Sequence, residues 1–223
     1  MNPSEPPDDD RPTPPVPPPP RGRALPPPLP NVPTIVAVQP APIVKFRRAH
    51  PLNYSSRVRG SMRLIVLHCT DGCEGTTKDD DAAAMFADPN LSPRRSAHYV
   101  VDADSITCCV PDAQTAWHCG HTGNAFGIGV EICGRASQTR EEWLDATSLA
   151  TLNLTARLVA DLCDRHHVPA TLVDAAGLQK GLTGITTHAY VSEAWHETTH
   201  TDPGKAFPLA ALVIAVRKAM LKG

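Results

Sequence analysis

Prolines decide where this chain can fold. Of its 24 prolines, 18 lie in residues 1–51 and only six in the rest of the 223-residue chain. Runs such as Pro17-Pro18-Pro19-Pro20 and Pro26-Pro27-Pro28 fix φ and remove backbone N–H donors, so neither a helix nor a sheet ladder propagates through them. Such a stretch favours extended polyproline II and has too little apolar surface to offset the entropy of ordering it. Residues 1–60 are therefore expected to be a disordered Pro-rich linker or tether, and residues 61–223 the folded domain. Charge divides the chain at the same place: eight Lys/Arg against four Asp/Glu up to Gly60, then 13 against 19, for −2 overall. The basic arm reads as a solvated spacer or as a tether toward an anionic surface. The near balance of the whole gives no case for nucleic acid as the main partner.

No run approaches the ~20 apolar residues of a membrane span. The opening residues Met1-Asn2-Pro3-Ser4-Glu5 have neither a basic nor an apolar region of the signal-peptide kind, so the chain is expected to be made in the cytoplasm. Nothing in the sequence sets an oligomeric state. Seven cysteines leave at least one thiol outside any intramolecular pairing. Cys69 and Cys73 are spaced for a small disulfide loop in an oxidising compartment; in a reducing one all seven act as small, mostly buried apolar residues.

Past residue 60 the signals alternate. Arg63 to His68 is a short apolar run of the buried-strand type. Lys78 to Phe86 opens with acidic residues and continues in alanines, a helix. His98 to Val101 and Ile106 to Val110 read as two strands around a turn at Asp102-Ala103-Asp104-Ser105. Gly127 to Gly134 is another buried strand, with glycines that imply close backbone packing and one carboxylate, Glu131, in its middle. Thr139 to His166 is expected to be one long amphipathic helix capped at Thr139, and a last helix covers about Pro208 to Leu221. The fold class is α/β: a single domain with a central mixed β-sheet flanked by helices, large enough to fold alone.

Histidines sit at the ends of these elements. His68 closes the first strand, His188 follows Gly184-Ile185-Thr186-Thr187, and Asp202 lies fourteen residues further on. Two imidazoles and a carboxylate on separate elements are what an open catalytic zinc site needs, three protein ligands with a fourth position for water. Spacing alone leaves the alternative that these are structural histidines.

The ordered segments Ile65-Val66-Leu67-His68-Cys69-Thr70, Ser96-Ala97-His98-Tyr99-Val100-Val101, Ala116-Trp117-His118-Cys119-Gly120, Ile128-Gly129-Val130-Glu131-Ile132-Cys133-Gly134, Gly184-Ile185-Thr186-Thr187-His188 and His200-Thr201-Asp202-Pro203-Gly204 resemble the zinc-dependent N-acetylmuramoyl-L-alanine amidases. That family takes in phage lysozyme-type amidases, anhydromuropeptide-recycling amidases and peptidoglycan-recognition proteins. The resemblance implies Zn2+ as cofactor, held by His68, His188 and Asp202, and peptidoglycan or muropeptides as partner. It implies that Glu131 activates the attacking water, since the tyrosine of the phage lysozyme branch is replaced by Ala97. His200 stands where many members carry an oxyanion-stabilising lysine; an imidazole N–H can donate to the same oxygen. Trp117 and His118 are expected against substrate or in support of the site. The implied reaction is hydrolysis of the amide between N-acetylmuramic acid and L-alanine, most simply as a phage endolysin that reaches the wall after release or delivery. The alternatives are a cytosolic muropeptide-recycling amidase and a non-catalytic binding module.

Overall fold

The computed structural model describes residues 44–57 and 62–221; the expectations for residues 1–43 lie outside them. A six-stranded sheet organises the domain in the order β1 (Val44–Phe46), β5 (Ile106–Cys108), β4 (Tyr99–Val101), β7 (Gly127–Ile132), β3 (Leu64–Cys69) and β8 (Gly184–Thr187). Strands β4, β7, β3 and β8 run parallel, β5 runs against β4, and β1 follows β5, so the sheet is mixed. A separate antiparallel pair joins β2 (Tyr54–Ser56) to β6 (Gln114–Ala116). The helices are α1 (Lys78–Ala87), α2 (Gly120–Phe126), α3 (Ala146–His166), α4 (Ala175–Gln179), α5 (His188–Trp195) and α6 (Leu209–Met220). None of them is long and apolar enough to cross a membrane.

The two-residue period of a strand divides the sheet into two faces. On one, Ile65 and Leu67 of β3, Ile128, Val130 and Ile132 of β7 and Ile185 of β8 pack under Leu152, Val159, Leu212 and Val216 of α3 and α6. On the other, Leu64 and Val66 meet α4 and α5 through Val173, Leu178 and Val191, while Val100 packs with Ala83 and Phe86 of α1. This second face also carries His68 and Glu131. The two are register partners on neighbouring parallel strands, so they leave the sheet side by side at its carboxyl edge. That edge is where open α/β sheets form their ligand crevices.

Two boundaries differ from the sequence reading. The Thr139–Glu142 capping pair exists: Glu142 Oε2 accepts from Thr139 N at 2.7 Å and Thr139 Oγ1 from Glu142 N at 3.2 Å. It caps only a single 3₁₀ turn at Glu142–Leu144. The long helix starts afresh at Ala146, where Asp145 accepts from Ser148 N at 2.8 Å. The second difference is at the amino end. Residues 44–57, grouped with the Pro-rich arm by composition, contribute β1 and β2 to the folded unit. Arg57 is half-buried among backbone carbonyls, donating to Asp112 O, Gln114 O, Ala125 O and Gly127 O at 2.8–3.2 Å. All seven cysteines are unbonded, so the Cys69–Cys73 loop is not closed by a disulfide.

Candidate metal centre and cleft

His68 is the penultimate residue of β3, His188 the first residue of α5 directly after β8, and Asp202 sits in the loop between α5 and α6. Thr187 caps α5 by accepting from Tyr190 N, which fixes the chain as it turns from strand to helix and aims His188 inward. The three side chains converge. His68 Nδ1 lies 3.1 Å from His188 Nδ1 and 3.2 Å from Asp202 Oδ2, and His188 Nδ1 lies 3.1 Å from Asp202 Oδ1. Ligand atoms bound at 2.0–2.1 Å on adjacent corners of a tetrahedron stand roughly 3.3 Å apart, close to these separations.

The other ring nitrogens have partners of their own. His68 Nε2 is 2.9 Å from His118 Nδ1, and His188 Nε2 is 3.1 Å from Thr198 Oγ1, itself 2.5 Å from Ser192 Oγ. Rings that donate Nε2–H to these partners leave both Nδ1 atoms able to ligate a cation beside the carboxylate. In the absence of a cation the Nδ1 atoms carry protons to Asp202 instead. Burial alone would raise Asp202, but hydrogen bonds from His188 and His68 hold it well below the usual carboxylate range. Burial, reinforced by His68, lowers His188 against the pull of Asp202, favouring the neutral ring that ligates metals.

Glu131 is placed as the residue types required. Its Oε2 is buried with no hydrogen-bond partner, and it lines the cleft that holds the cluster, a cavity of about 850 Å³. Burial first, and then the charge of Asp202, pushes its carboxyl well up; Arg95 opposes the shift. His200 stacks on His188 with ring centroids 4.6 Å apart and planes 8° from parallel, its Nδ1 3.7 Å from Asp202 Oδ1 and its side chain 67% exposed to the cleft. Trp117 lines the same cleft and donates Nε1–H to Ser55 Oγ at 3.3 Å. His118 borders the cleft too, yet its closest polar contact is His68. It also forms, with His68 and Cys119, a second group of potential donor atoms.

Several participants carry no signal in the sequence. Thr198 orients His188 from ten residues away. Asn124 Oδ1 accepts from His118 N at 2.7 Å and Cys119 N at 2.8 Å, pinning the backbone beside the centre. Each works through a contact that only the folded chain creates.

A mixed sheet with two histidines and a carboxylate gathered at the carboxyl ends of its parallel strands, and a desolvated glutamate one strand over, defines a hydrolase-type cleft. The family model for N-acetylmuramoyl-L-alanine amidase (Amidase_2) matches residues 58–205, more than half of the chain, and the chain belongs to that family. A comparison with curated proteins finds no match. Among solved structures, it is similar to Staphylococcus aureus hydrolase AmiA in complex with its ligand, with a TM-score of 0.64 at 22% identity over 82% of this chain and 86% of that chain. A mutant endolysin from Bacillus subtilis gives 0.55 at 18% identity over 79% and 99% of the two chains. An AmpD derivative gives 0.55 at 22% over 78% and 94%. At these identities the likeness is one of fold.

Proposed function

We propose that this amidase cleaves the bond between the lactyl group of N-acetylmuramic acid and L-alanine in peptidoglycan, with Zn2+ held by His68, His188 and Asp202. The observation that carries the reading is the convergence of three ligand side chains, each pair in contact at 3.1–3.2 Å, beside an unpartnered buried carboxylate oxygen of Glu131. When bound, zinc would supply Lewis acidity to the amide carbonyl and to the attacking water. Glu131, raised by desolvation, takes the proton from that water and returns it to the departing alanine nitrogen. His200, stacked over His188 and open to the cleft, donates an N–H to the oxyanion of the tetrahedral intermediate. Trp117 offers an aromatic wall for the substrate.

Two features favour this over a module that only binds wall: the third ligand position keeps a carboxylate, and Glu131 is in place. We further place its action on assembled wall, as an endolysin, because a proline-dense basic arm suits a spacer or tether better than it suits an enzyme of small soluble fragments. The test is incubation of the purified protein with peptidoglycan, with and without a chelator, and mass spectrometry of what is released. Stem peptides beginning at L-alanine, lost with chelator and with Glu131→Gln, are the expected result. Fragments cut inside the stem peptide, or binding without release, would overturn it. Release from soluble muropeptides but not from intact wall would move the protein to the recycling setting.

A further inference from the structure

The glycines of β7 have a specific occupant. Gly127 and Gly129 lie on the same face of the sheet as Glu131, and a Cβ at Gly129 would meet the ring of His118 at 2.6–2.8 Å, one at Gly127 its Cε1 at 3.3 Å. The two glycines form a slot into which the His118 imidazole lies flat against the strand. Asn124 pins the backbone of residues 118 and 119 from outside. The slot brings His118 Nδ1 to 2.9 Å from His68 Nε2, with the two rings edge to face at 88°. The far nitrogen, His118 Nε2, is buried and has no hydrogen-bond partner.

Resting on the metal centre proposed above, the geometry points to His118 as a positioning residue: its Nδ1 accepts the Nε2–H of His68, fixing the tautomer and rotation that present His68 Nδ1 to the metal. With His68 donating, His118 carries its own proton on Nε2, which is the atom left without a partner. Metal-bound histidines usually donate to a carboxylate or a backbone carbonyl. Here a neutral imidazole does that work, which orients His68 without adding negative charge next to the centre.

The experiment compares His118→Asn with His118→Leu in the full chain. The two replacements are similar in size and both vacate the slot, but only asparagine returns an acceptor near the Nδ1 position. Zinc affinity is measured by chelator competition, the visible absorption of the Co2+-loaded protein reports ligand geometry, and thermal unfolding of the metal-free forms checks folding. His118→Leu is expected to lose roughly 10- to 100-fold in zinc affinity and to alter the cobalt spectrum, while His118→Asn restores most of the affinity and the parental spectrum. Equal losses in both would show that the ring acts by packing, and parental affinity in both would show that it does nothing for the metal; either result overturns the proposal. So would two zinc equivalents per chain in native mass spectrometry, which would make His118 and Cys119 ligands of a second ion. A parent protein that binds no zinc at all is a different outcome: it removes the metal centre itself.

Discussion

Glu131 and His98 are both buried titratable groups on one face of the sheet, and their surroundings assign them different work. Glu131 lines the cleft and has a buried oxygen without a partner, so Glu131→Gln should keep the metal and lose about 10²–10⁴-fold in kcat, as removal of a general base does; metal analysis beside steady-state rates checks it. His98 is sealed. Gly129 N–H donates to its Nδ1 at 2.9 Å, and its Nε2 lies between Arg57 Nη2 at 2.9 Å and Gln114 O at 3.2 Å. Burial and the adjacent Arg57 push His98 down to about 3. Because an unfolded histidine titrates near ~6.5, the unfolded chain binds the extra proton between those two values. Stability therefore falls as pH drops through that window, by about 2 kcal/mol between pH 7 and 5. Urea denaturation of the metal-free protein at the two pH values should show this loss, and His98→Gln should flatten it.

At the scale of elements, caps and slots matter more than propensity. Asp145 satisfies the first turn of a 21-residue helix that roofs one face of the sheet. Asp145→Ala should cost ~1 kcal/mol, and Thr139→Ala less, because Thr139 holds only the preceding 3₁₀ turn; denaturant midpoints would rank them. Gly129→Ala is the sharper case. It touches no metal ligand, but its Cβ would fall on the His118 ring, so zinc affinity should drop while β7 keeps its pairing with β3 and β4. Some of these elements were legible beforehand. β3, α1, β4, β5, β7 and α6 each show enough period or composition over their length. The missed strands β1, β2 and β6 are as short as β4 and β5 but far less buried, so no apolar run marks them. The start of α3 was misjudged because two cap signals stand six residues apart and only packing chooses between them.

At the scale of the whole molecule, Arg57 shows where composition stops being informative. By its neighbours it belonged to a basic tether. In the fold its guanidinium is half-buried, lowered by that burial, and bonded to the backbone carbonyls of Asp112, Gln114, Ala125 and Gly127. Arg57→Ala should cost roughly 3 kcal/mol by orphaning those carbonyls; calorimetry tests it. The α/β class followed from the alternation of elements, and His68, Glu131, His188 and Asp202 were singled out by the resemblance of their flanking motifs to a known family, because strand ends and motifs are local features. How those four meet did not. His68 and His188 are 120 residues apart and Asp202 is fourteen further on, and the pairing of β3 with both β7 and β8 brings them within hydrogen-bonding distance. The role of His118 likewise exists only because two glycines on one strand clear space for a ring from another segment, and a contact of that kind is a property of packing.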